Sequence, residues 1–154
     1  MKVALLLLAL AWVAPPATAA SVDIKPAGAL LVRYTVDKSF DDVVFELNFA
    51  ITDHNFRITA RNNLGAGLRE RGYKDFPNVE VIHFCSLELA REVLLLDPAF
   101  VAHMPCRVTV HEDQGRTVIS LVKLPLDNRD PRVNDFARRM NATLTEIVEF
   151  AVGR

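Results

Sequence analysis

The sequence predicts an α+β domain, a mainly antiparallel sheet of about five strands with two main helices on one face and a short helix between strands three and four. Three observations predict it. The 154 residues are 51% hydrophobic and 24% charged, the make-up of one ordinary folded domain. The apolar period switches back and forth between that of a strand and that of a helix. The resulting order is strand, helix, strand, strand, short helix, hairpin, long helix, so only the first and third gaps between strands hold a helix. A parallel sheet would need one in almost every gap. A parallel crossover stays open only between strands three and four.

Leu30 to Val36 alternates Leu30, Val32, Tyr34 and Val36 against Leu31, Arg33 and Thr35, the pattern of a half-buried strand. Ser39 with Asp42 three residues on marks a helix start. Phe40, Val43, Val44, Leu47 and Ile51 form its core stripe, and Phe45 and Phe49 fall off that stripe, which predicts a second buried face. Asn55 to Ala60 reads as the second strand, with Phe56, Ile58 and Ala60 on one side. Residues 61 to 78 turn to Asn, Gly and charge, a long loop with one helical turn around Leu64 to Arg71. Val79 to Cys85 is the third strand, Ser86 begins a short helix to about Leu96, and Pro98 to Pro105 connects onward. Cys106 to Asp113 and Arg116 to Leu124 form a hairpin closed at Gln114-Gly115. Asp130-Pro131 supplies an N-cap and a proline at the first helical position. Val133, Phe136, Ala137, Met140, Leu144, Ile147, Val148 and Ala151 then run at helical spacing.

The first residues pose a different problem. Lys2 is followed by twelve consecutive apolar residues, Val3 to Ala14, then Pro15-Pro16 and Ala17-Thr18-Ala19. That is the charged, apolar and small-residue succession of a signal peptide, and the apolar run falls short of the roughly 20 residues that a span needs. Residues 1 to 19 are expected to be removed on export to the periplasm or exterior, with no stable membrane anchor. The remainder then holds 17 basic and 19 acidic residues, a formal charge of -2. Residues 20 to 29, with Pro26 and Gly28 and no periodicity, lead into a single domain over 30 to 154.

A net charge of -1 with no basic run excludes a nucleic-acid partner. No nucleophile elbow appears, and Gly65-Ala66-Gly67 is too short for a dinucleotide fingerprint and reads as flexible loop. No catalytic residue is assigned. Asn141-Ala142-Thr143 matches a glycosylation acceptor but falls inside the last helix, so it is read as chance.

Two clusters carry chemistry. His83-x-Cys85 and His103-Met104-x-Cys106 bring imidazole, thiol and thioether together, the donor set of copper, with zinc through nitrogen and sulfur as the alternative. Each residue also has an ordinary reading. Met104 serves as core filler, the histidines as hydrogen-bonded side chains, and Cys85 and Cys106 as a disulfide or as two packed thiols. If strands three and four run antiparallel, Cys85 leaves the sheet where Cys106 enters it, which brings their Cα atoms within disulfide reach of roughly 4.4 to 6.8 Å. Strand parity also places Arg33, Arg57, Arg107 and His111 on the face away from the helices. There they could cradle an anion, face another subunit, or lie along the strands in solvent.

The run Phe76 to Cys85, Phe-Pro-Asn-Val-Glu-Val-Ile-His-Phe-Cys, followed by Asp97-Pro98 and Met104-Pro105-Cys106-Arg107, resembles the domain of unknown function 302 family over about residues 28 to 152. The Ser39-Phe40-Asp41-Asp42 helix start and the hairpin after Cys106 sit where that family has them. The resemblance implies a TATA-binding-protein-like fold, a curved sheet backed by helices, pairing into homodimers, and no reaction. Many members lack both cysteines, so these lie outside any function the whole family shares. Two functions follow as expectations: an exported, non-catalytic protein that binds a small ligand or serves as an accessory factor, or a redox or copper protein built on Cys85 and Cys106.

Overall fold

In the computed structural model, which describes residues 21–23 and 30–154, the alternation at Leu31–Val36 becomes strand β2, with Val32, Tyr34 and Val36 buried. The expected signal peptide, residues 1 to 19, lies outside the described residues. So does most of the leader, although Ser21–Asp23 pairs antiparallel with β2 as a short outermost strand, β1. With β3 (Arg57–Asn63), β4 (Val79–Cys85), β5 (Cys106–Asp113) and β6 (Arg116–Val122), six strands form one sheet in the order β1-β2-β6-β5-β4-β3, every neighbouring pair antiparallel. The crossover left open between β4 and β5 is resolved as antiparallel.

Helix α1 spans Phe40–Asp53, and the Ser39 hydroxyl accepts from Asp42 N at 3.1 Å, the cap that the sequence calls for. Its stripe Phe40, Val43, Val44, Leu47 and Ile51 is buried. The second buried face is not found. Phe45 is 72% and Phe49 52% exposed, and Phe49 only stacks on Phe150 with ring centroids 5.5 Å apart. One helix resting on a sheet buries one stripe, and among the described residues the far side of α1 meets no second layer.

Strand β3 covers Arg57–Asn63 rather than starting at Asn55. Asn55 sits at φ 59°, donating its N–H to Thr52 O as α1 closes, a left-handed position that asparagine tolerates. A register shift between Ile58 and Ala60 then reverses the alternation, so Ala60 pairs with His83 and does not share the side of Ile58. The expected loop helix is α2, Leu64–Glu70, followed by β4, Val79–Cys85, and α3, Leu87–Leu96. The connector after α3 is a 3-10 helix, Pro98–His103, whose start is capped by Asp97 accepting from Ala99 N at 2.9 Å. Strands β5, Cys106–Asp113, and β6, Arg116–Val122, close through Gln114 at φ 49° and Gly115 at φ 77°, two positive values that a tight hairpin turn requires. Helix α4, Pro131–Val152, starts at the Asp130 cap, and all eight residues of its expected stripe are buried.

α1 and α4 pack beside one another over the same sheet face. Between them Lys38 Nζ meets Glu46 Oε2 at 2.7 Å and Ala151 O at 3.1 Å, and His54 Nε2 lies 3.5 Å from Glu146 Oε2. Val108, Val110, Ile119, Leu121, Ile82 and Phe84 form the floor beneath them. Glu80 shares that inward side of β4, 3% exposed, and is held by Arg61 from β3.

Gly65 is not loop filler. A Cβ built there would stand 2.6 Å from Pro77 O and 2.8 Å from Val79 N, both backbone atoms that cannot swing away. Gly65→Ala is therefore expected to destabilise by about 1–3 kcal/mol through overpacking, whereas Gly67→Ala, whose Cβ would meet only the end of the Arg71 side chain at 3.4 Å, should be near neutral or stabilising. Urea denaturation of the two variants checks the contrast.

Candidate functional site

The candidate site lies at the end of the sheet where β4 stops and β5 begins. The register pairs Phe84 with Cys106, so Cys85 and Cys106 occupy neighbouring strands one residue out of step. Alternation turns Cys106 inward with Phe84. Cys85, at the last position of its strand, turns the other way, and its thiol reaches Ser86 O at 3.7 Å. Both are free thiols in this structure. They nevertheless line the same narrow cleft, where Phe56, Leu89, Phe100, Leu124, Phe136 and Met140 supply apolar walls and His103 and Met104 complete the rim. Its volume of about 20 Å³ is room for about one water. The Phe100 ring holds His103 edge-on at 5.1 Å and meets Phe136 edge-on at 5.8 Å.

Burial pushes both thiols up, and Cys106 rises to about 11, first through desolvation and then through the adjacent Cys85. Thiols held protonated at neutral pH are weak nucleophiles and weak metal ligands. The linkage has a definite sign. Above pH 9 the unfolded Cys106 ionises while the folded one does not, so its stability contribution is full below about pH 9 and is lost as pH rises towards 11. The loss should reach about 2–3 kcal/mol at about 1.4 kcal/mol per unit. Denaturant titrations of the native protein and of Cys106→Ala across pH 8 to 11 should show a smaller decline in the variant.

The soft-ligand set is brought together only in part. Cys85, His103, Met104 and Cys106 share the cleft, but His83 does not. It pairs with Arg107 and Ala60 on the sheet face away from the helices, its Nε2 3.4 Å from Asn62 Nδ2. The spacing His83-x-Cys85 does keep the two on one side of β4, but the site forms around the strand end, behind that side. Among the described residues no three His, Cys, Asp or Glu side chains gather as a metal ion would require.

Arg33, Arg57, Arg107 and His111 do share the uncovered face, opposite Ser120, Cys85, His83 and Val118 respectively. They do not form one cradle. Arg33 lies near enough to His111 to add to the lowering of its pKa that burial begins. Arg107 lines one depression and Arg57 a different one, with His54, Ser86 and Glu88. Sequence reading missed the aromatic walls of the cleft, although Phe136 and Met140, spaced four apart on one helix face, were legible as a stripe. It also gave Lys123 no role. That residue lines the same depression as Arg107 and His103.

A family model described as Domain of unknown function DUF302 matches residues 32–151. Among solved structures the chain is similar to the crystal structure of an uncharacterized conserved DUF302 protein from Bacillus stearothermophilus, with a TM-score of 0.68 and 16% identity, covering 79% of this chain and 98% of that one. That degree of identity speaks to the fold. No curated protein matches the sequence.

Proposed function

Because the chain belongs to the DUF302 family, a membership that brings a fold and no reaction, we propose that it acts as a non-catalytic ligand-binding or accessory protein. The observation that carries this reading is the sheet-end site itself: a cleft walled by aromatic and methionine side chains whose two thiols are both pushed towards the protonated state. With room for about one water, such a place admits no more than the tip of an apolar group and does not suit nucleophilic attack. Metal analysis of the purified protein, with thiol titration before and after reductant, tests it. The expected result is two cysteines accounted for as thiols or as one disulfide, with no stoichiometric metal. One equivalent of copper or zinc per chain would overturn the reading.

A second reading, a redox or copper site, is favoured by the convergence of Cys85, Cys106, His103 and Met104 on one cleft. In an oxidising compartment the two thiols would join as a disulfide only once Cys85, which turns away from Cys106, is re-aimed by movement of its strand end. The same metal analysis decides this, since one equivalent of copper per chain is its signature.

The protein works, in this proposal, outside the cytoplasm, after loss of residues 1 to 19 and as a homodimer. The signal-like order of the first residues supports the export, the family resemblance supports the dimer, and no helix among the described residues is long and apolar enough to cross a membrane. Intact-mass analysis of the exported species should show a chain beginning at residue 20 or 21. Light scattering should give twice the mass of one chain.

A further inference from the structure

Beside the thiol cleft lies a second depression, with a volume of about 200 Å³, bounded by the 3-10 helix on one side and the ends of β5 and β6 on the other. Its charged groups are Arg107, which starts outward from β5, and Lys123, which follows the end of β6 and is fixed by its backbone N–H to Leu30 O at 2.6 Å. His103 stands at the rim, and no carboxylate among the described residues lines it. Some cations of the chain are held, Lys38 by Glu46, Arg61 by Glu80, Arg116 by Asp37 and Arg139 by Glu92, while others such as Arg33, Arg57 and Arg91 are not, so what sets Arg107 and Lys123 apart is that they line one depression together. Among the described residues the Arg107 guanidinium and the Lys123 ammonium have neither an ion pair nor a hydrogen bond. Two cations thus share one concave place with no counter-charge among the described residues.

We infer that this depression binds a small organic anion, a carboxylate on a compact apolar body. The inference rests on the ligand-binding reading above and adds the class of ligand. Arg107 offers a planar fork that matches a carboxylate in two parallel hydrogen bonds, and Lys123 adds a point charge from just beyond the end of β6. Leu30, Val122, Leu124 and Pro125 supply an apolar floor. At about 200 Å³ the space is smaller than the roughly 300 Å³ at which sites for drug-sized ligands begin. Cys106 and Leu124 line both this depression and the thiol cleft, so an occupant would touch the wall that the two share.

Benzoate and its neutral isostere benzamide are the probes, titrated into the purified protein at low salt and followed by calorimetry and by amide NMR shifts. Benzoate should bind at least tenfold more tightly than benzamide and should shift the amides of Leu30, Arg107, Val122 and Lys123. The double variant Arg107→Gln, Lys123→Gln should lose at least tenfold in benzoate affinity while its weak affinity for benzamide is unchanged, and Arg57→Gln, which lines a different depression, should bind benzoate as the native protein does. Raising salt should weaken benzoate alone. Equal affinity for the two probes, or an undiminished benzoate affinity in the double variant, would overturn the inference. If benzamide still shifts these amides in that event, the ligand-binding reading survives without its anion. If neither probe shifts them, the depression is no binding site and the broader reading loses this support as well.

Discussion

Leu144→Ala should lower the unfolding free energy by about 2–5 kcal/mol, the cost of emptying a buried leucine site that cannot fully collapse. Leu144 is 1% exposed, in the middle of α4. Its neighbours on the stripe, Met140, Ile147 and Val148, are buried against the same core as α1 and the strands, which leaves little freedom to close over the void. Leu144→Ile keeps the volume and should cost under about 1.5 kcal/mol. Chemical denaturation gives both numbers. A loss below about half a kcal/mol for Leu144→Ala would show that α4 is peripheral, against the burial of its whole stripe.

Asn141→Leu should be comparably damaging for a different reason. The Asn141 amide accepts from Leu124 N at 2.7 Å and donates to Leu124 O at 2.9 Å, both within the buried interior. This one side chain satisfies the backbone where the chain leaves β6, in the place of a strand partner. A leucine would fill the space and leave two buried backbone groups without partners, at about 1–3 kcal/mol each, so a total of about 2–6 kcal/mol is expected. Asn141→Asp keeps the acceptor but sets a carboxylate oxygen against Leu124 O in the interior, so it should also be destabilising at neutral pH. Because Leu124 walls both the thiol cleft and the cationic depression, NMR shifts around His103 and Cys106 should accompany the loss. The Asn141-Ala142-Thr143 triplet is accordingly closed to glycosylation in the folded chain, as its place in a helix suggested.

Much of this architecture could be read from local chemistry. Ser39, Asp130 and Gln114-Gly115 each act within a few residues of themselves, so their effect on the chain is written where they stand. The stripes of α1 and α4 are legible for the same reason: a 3.6-residue period needs only one core to face. What escaped depends on partners distant in sequence. The alternation of β3 is broken at Thr59 by its pairing with β4, which no pattern within β3 announces. Gly65 reads as a flexible residue until Pro77 and Val79 are laid against it. Phe45 and Phe49 look like a second core face by composition alone, and only the single layer of helices shows that they have none. At the site, the convergence of Cys85, His103, Met104 and Cys106 followed from the antiparallel order, while His83 illustrates how two residues on one side of a strand can still belong to different surroundings. The role of Lys123 was hidden because an isolated lysine at a strand end gains meaning only from the arginine that lines the same depression.

The kink in β3 has a consequence for how copies of this chain meet. β3 is the last strand of the sheet, seven residues long and exposed at nearly every position. A straight strand so placed would offer its unused N–H and C=O groups as a template for another chain, the first step of fibrillar aggregation. The shift at Thr59 breaks the rhythm of those groups, and Arg57, Arg61, Asn62 and Asn63 add charge and polarity along the margin. Among the described residues the far side of the sheet ends in the three residues of β1. With one border bent and studded with arginine and the other too short to propagate, stacking of strand on strand is disfavoured, and crowding of the protein to high concentration should bring its faces together before its borders.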